Sequence, residues 1–180
     1  MAEKHVGRAG SVLCVLVAVL TGGCTTSRPL SQPPPTPTAA LPTDAASIAS
    51  RDALAAYDGM MADWTAVSKT SDYQDPILTR HVSGAALSRL VRIVAAAQAS
   101  GVVSKGQPVD NARVVQLIPP HAPTEAVLVD CADATAWLQY KVDGTRVPGV
   151  GGHYRVDATA DDINGVWKIT KFAVQVADKC

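Results

Sequence analysis

Between Asp44 and Thr70 the apolar positions recur at the spacing of one helical face. Leu54, Tyr57, Met61 and Trp64 follow one another by three, four and three residues, which sets them on a single stripe of an α-helix. Asp44 is placed to cap this helix, which is predicted to run to about Thr70. The stripe must be covered, because an aromatic-rich face left in water forfeits its burial energy. A short helical piece is expected after Asp75, where Pro76 suits a first turn. A further helix is predicted over residues 83–100, with Leu87, Leu90, Val91 and Val94 on one side, Ser88, Arg89 and Arg92 on the other, and Gly101 just past its end.

After Gly101 the pattern changes to β-branched runs punctuated by Gly, Pro and Asn. Four strands are predicted, over residues 112–118, 125–142, 152–160 and 166–176. The run Asp161-Asp162-Ile163-Asn164-Gly165 makes a tight turn and Asp143-Gly144 opens a longer one, so the last three strands should form an antiparallel meander. Helices first and strands afterwards give an α+β domain, residues 44–180, with the N-terminal helices packed on one face of the sheet.

The residues before this domain carry an address. Lys4 and Arg8 precede the apolar run SVLCVLVAVL, residues 11–20, which as a helix spans about 15 Å, half of a bilayer's hydrocarbon core of roughly 30 Å. That suits a cleaved export signal, residues 1–23, better than a permanent span. LTGGC, residues 20–24, resembles the lipobox of bacterial lipoproteins and makes Cys24 the lipidation site, although Thr21 stands where a branched apolar residue is usual. The other reading is an ordinary signal peptide and simple secretion. Residues 24–43, rich in Pro, Thr and Ser, cannot form helix or ladder and read as an extended tether.

Composition narrows the function classes. Sixteen basic and sixteen acidic residues cancel, so no long-range field favours nucleic acid. Of four cysteines, Cys14 leaves with the signal and Cys24 is consumed by acylation, so the domain keeps Cys131 and Cys180, one potential disulfide. A flat meander would put that pair at opposite edges of the ladder, too far apart to bond unless the sheet curves, the long strand breaks near Asp133 or the tail folds back. Neither Cys nor His occurs at metal-ligand spacing, and neither metal nor cofactor is expected. GVGG, residues 149–152, opens a strand and not a helix, so it reads as a turn and not as a phosphate loop.

Helices followed by a curved antiparallel sheet resemble the nuclear-transport-factor-two-like superfamily, the cone-shaped, cystatin-like fold shared with ketosteroid isomerases and SnoaL-type cyclases. The phrases VLVDCADATAW (residues 127–137) and NGVWKIT (residues 164–170), with the terminal Cys180, are similar to those of small secreted lipoproteins of actinomycetes. The resemblance implies an exported, lipid-anchored envelope protein on the extracytoplasmic face whose domain is a non-enzymatic binding or accessory module. It would engage the membrane through its anchor, and an envelope protein, a small apolar ligand or a second copy through the domain. The alternative is an isomerase, cyclase or hydrolase. Enzymes of the cone fold set a carboxylate in an apolar cavity, and alternation along the long strand puts Asp130 on one face with Leu128, Ala132, Ala134, Ala136, Leu138 and Tyr140, which makes it the acid–base candidate. The competing expectation is that Asp130 only bonds backbone donors or an Arg. Tyr57, Trp64 and Trp137 are candidates for a pocket wall, or for core. His153, Arg155 and Asp157 form an exposed stripe, and His81 and His121 have no partner visible in the sequence.

Overall fold

The computed structural model describes residues 43–149 and 151–177. The expected signal, nearly all of the tether including Cys24, and Cys180 lie outside the described residues. No described helix is long and apolar enough to cross a membrane.

Helix α1 (Thr43–Val67) begins one residue before Asp44, which therefore lies inside the first turn. Its buried row is Ala49, Ala53, Ala56, Tyr57, Met60 and Met61, and Leu54 and Trp64 pack half-buried against the core. Three of those buried residues are alanines, which let the helix axis lie close to the sheet. The short 3-10 helix Pro76–Thr79 is capped by Asp75, whose carboxylate accepts from the Ile77 amide at 2.9 Å, and it drives Leu78 into the core. Helix α2 (Gly84–Ala99) buries Ala86, Leu90 and Val94, with Leu87 and Val91 at the margin of that row. Arg89 leaves the polar side expected of it: its guanidinium lies 5.5 Å over the ring of Phe172.

The sheet differs from the predicted meander in one consequential way. The 125–142 strand is broken. Its first part, β3 (Glu125–Asp133), sits inside a four-stranded antiparallel sheet of order β2-β3-β5-β6 with β2 (Arg113–Ile118), β5 (His153–Ile163) and β6 (Val166–Val176). Its last part, β4 (Leu138–Lys141), leaves that sheet and pairs with an unanticipated strand, β1 (Val102–Lys105). The break follows from local chemistry. The Asp133 carboxylate accepts from both the amide and the hydroxyl of Thr135, at 2.9 and 2.6 Å, and the Trp137 amide bonds Ala134 O, so the chain turns here in place of continuing its ladder. Gly106, at φ +81°, makes room for the detour, since a Cβ there would lie 2.0 Å from Ala136 O.

Register explains the core. Leu128 lies opposite Ala158, which lies opposite Phe172, and Val156 is flanked by Asp130 and Val174. Ladder slips between Val114 and Gln116 and between Thr159 and Ala160 leave an extra residue on each outer strand, which bends the sheet around the helices. The α+β class, with helices on a curved antiparallel sheet, is as expected.

His81 does have a partner. Its Nδ1 is 2.7 Å from Oδ2 of Asp63, a carboxylate 5% exposed on α1, and Arg80 stands 3.7 Å from the other oxygen. The imidazole reaches it by lying on Gly59, where a Cβ would come within 2.5 Å of the ring. Gly59→Ala should therefore destabilise the domain by about 1–3 kcal/mol through overpacking, despite alanine's advantage of about 1 kcal/mol inside a helix. Urea unfolding measures this, and a more stable variant would show that the ring moves aside freely.

Candidate functional site

Two neighbourhoods hold the residues singled out from the sequence. In the first, Asp130 on β3 points into the protein, 1% exposed. Tyr57 on α1, fully buried, donates its phenol to Oδ2 at 2.8 Å, and the Asn111 amide donates to Oδ1 at 2.7 Å. Both oxygens thus have protein donors, and Asp130 bonds a backbone amide as the competing expectation had it, with a phenol in place of an Arg. Burial, then the Asp130 charge, hold the Tyr57 phenol far above its ordinary range, so it remains a neutral donor.

Asp110 completes this cluster. Burial first, then the charge of Asp130 and hydrogen bonding to it, then the charge of Asp58, push the Asp110 carboxyl up to about 6. Its Oδ1 is buried with no partner among the described residues. Asp58 is raised as well, by burial and then by Asp130. The acids lie along one seam between α1, β3 and the segment 106–112 that leads into β2. That segment is tied down twice more, by reciprocal amide bonds between Val109 and Asp133 at 2.8 and 2.9 Å.

The second neighbourhood is a cavity of about 420 Å³, near the low end of the roughly 300–1,000 Å³ typical of small-molecule sites. The end of α1 contributes Met61 and Trp64 and the turn after it Ser68, α2 contributes Ile93, Val94 and Ala97, and the sheet side contributes Ala132, Ala134, Val156 and Val174. Trp137, in the link between β3 and β4, faces Trp64 edge-on with ring centres 5.2 Å apart, and Trp64 also meets Phe172 at 5.8 Å. The cavity exists because β4 departs: had β3 run straight on to residue 142, the β1–β4 ribbon and Trp137 would not enclose this end of the helices.

Trp64 and Trp137 line the cavity. Tyr57 and Asp130 do not; they lie deeper along the helix–sheet seam. No carboxylate, imidazole, amine or thiol stands among the described lining residues; Tyr154 brings the one titratable group among them, a phenol, and the wall offers contact and neutral hydrogen bonding. No group of three or more His, Cys, Asp or Glu among the described residues is placed to hold a metal ion. His153 and Arg155 are exposed, and Arg155 pairs with Asp157 at 2.7 Å along the stripe read from the sequence.

Cys131, half-buried on β3, faces away from Asp130. Its partner in the expected pair, Cys180, lies outside the described residues. Cys131 lies in one row with Arg155 and Gln175, two strand spacings or about 10 Å from β6.

The sequence reading passed over Ser68 and Ser71, though they extend the spacing of Leu54, Tyr57, Met61 and Trp64 by four and three more residues. Asp110 and Asp63 gave no signal, since their partners are distant in the chain.

No protein-family model matches the chain. No curated protein matches it in sequence. Among solved structures it is similar to the intermembrane space region of the chloroplast protein ARC6, at 15% identity and a TM-score of 0.50, over 70% of this chain and 98% of that one. It is also similar to an uncharacterized protein with a cystatin-like fold from Caulobacter vibrioides, at 15% identity and a TM-score of 0.41, over 69% of this chain and 89% of that one. A third is an NTF2-like protein of unknown function from Pseudomonas putida, at 12% identity and a TM-score of 0.40, over 72% and 87%. These are likenesses of fold alone, and no activity comes with them.

Asp110 makes stability depend on pH with a definite sign. Its carboxyl binds a proton more tightly folded than unfolded, so its favourable contribution is complete below its unfolded value, near 4, and is lost as pH rises through about 6. Asp110→Asn should remove that slope and raise stability above neutrality by on the order of 1 kcal/mol, discounted for partial exposure. Melting temperatures recorded from acid to neutral pH check this, and an unchanged slope would show that Asp110 titrates normally.

Proposed function

We propose that the chain is an exported envelope protein, anchored by acyl chains on Cys24 and held off the bilayer by its Pro-rich tether, whose domain binds a small apolar ligand without transforming it. The observation that carries the binding reading is the cavity: largely aromatic and aliphatic walls with no carboxylate, imidazole, amine or thiol among the described lining residues. The export reading rests on the charged start, the short apolar run and the cysteine that follows Gly22-Gly23. The enzymatic alternative loses its best residue, because Asp130 has both oxygens engaged and stands outside the cavity lining.

An uncharged dye that fluoresces in apolar surroundings, N-phenyl-1-naphthylamine, should bind the mature protein and be excluded by Ala97→Phe, which fills the cavity from α2. A variant that keeps its circular dichroism and its dye would remove the cavity from the reading.

In cells, the protein should fractionate with membranes, and Cys24→Ala should release it or leave it unprocessed. Acylated membrane material from the Cys24→Ala strain would overturn the anchor. We extend the proposal to a Cys131–Cys180 disulfide. It would close a loop of about fifty residues and stabilise by roughly 4 kcal/mol in the chain-entropy account. Alkylation of the denatured protein should label neither thiol before reduction and both afterwards; labelling without reductant would refute the bond.

A further inference from the structure

We propose that the cavity's ligand is an uncharged single-chain amphiphile, its oxygen-bearing head set against Ser68 and Ser104 and its hydrocarbon laid along the Trp64 and Trp137 rings. The inference rests on the cavity being a binding site and names the chemical class it takes.

Two hydroxyls on the wall lack partners among the described residues. Ser68 and Ser104 are only 7% and 8% exposed, yet neither hydroxyl has a hydrogen-bond partner among the described residues. The Ser104 amide donates to Ser68 O at 2.7 Å, which fixes the two residues side by side at the junction of α1 and β1. The Trp137 indole N–H is buried away from the cavity space, so Trp137 offers the ligand its ring and not its donor. Ser71, by contrast, spends its hydroxyl on Val102 O at 2.6 Å. Polar groups in a buried wall are usually paired, so two adjacent hydroxyls without protein partners give the polar head of a ligand a place to bond. A serine hydroxyl both donates and accepts, which suits a neutral head such as a hydroxyl, ester or amide. The described lining carries no charge, so an ionised head brought to the same place would lose its water without gaining a counter-charge. At roughly 30 Å³ per heavy atom, taking liquid water's share, the volume of about 420 Å³ holds a chain of about a dozen carbons and its head.

The experiment is displacement of bound N-phenyl-1-naphthylamine by dodecanol and by dodecanoate at mildly alkaline pH, both below their aggregation limits. Dodecanol should compete at least about tenfold better than dodecanoate. The double variant Ser68→Ala/Ser104→Ala should weaken dodecanol by several-fold while leaving dodecanoate unmoved. The melting temperature of the variant establishes that it is folded. Equal competition by the two amphiphiles, or a folded variant that keeps full preference for the alcohol, overturns the ligand class and leaves apolar binding standing. Failure of the dye itself to bind the unaltered protein overturns both.

Discussion

A carboxylate taken out of water must be solvated by the protein, and the way this chain solvates Asp130 organises the fold around it. One oxygen takes the Tyr57 phenol from α1 and the other takes the Asn111 amide from the segment before β2. A single buried charge therefore fixes the rotation of α1, the position of β3 and the course of residues 106–112. Removing either donor would leave a charge partly unpaired in the core, which costs far more than the hydrogen bond gained on forming it. Its conjunction with the raised Asp110 gives the seam its sensitivity to protons. The seam is structural in its geometry, and its ionisable groups stand apart from the cavity they help to shape.

The separation of acids and cavity is what the function reading turns on. A fold that can house proton chemistry needs the acid inside the pocket. Here the acid serves the joint between helix and sheet, and the pocket is walled by indoles, aliphatic side chains and serines. A ligand there would be chosen by shape and by neutral hydrogen bonds.

How much of this was legible in the sequence varied with the range of the interaction. Helical spacing located Tyr57, Met61 and Trp64, and alternation put Asp130 among inward residues, because both periodicities are properties of neighbouring residues. The short helix after Asp75 and the stop at Gly101 were legible for the same reason. What escaped depended on distant partners: His81 with Asp63, Asp110 with Asp130, and Arg89 over Phe172. Strand β1 escaped because four residues between two glycines carry too little pattern, and the break after Asp133 was entertained only as one way to bring Cys131 towards Cys180. Both were decided by Thr135 and by the close passage of Gly106 beneath Ala136 O. The cavity needed both facts, so no residue list could have outlined it in advance.

The small β1–β4 ribbon joins the rest of the domain by side-chain packing and a few single hydrogen bonds, not by a continuous ladder with the main sheet. A two-stranded ribbon is marginal on its own, and such pieces open at a lower free energy than the core they border. Its amides should thus exchange with solvent hydrogen sooner than those of β3 and β5, and each opening would part the cavity's wall. Guests could come and go through that breathing motion while the four-stranded body stays folded, so the exchange rate of the ribbon would cap how fast the cavity can load.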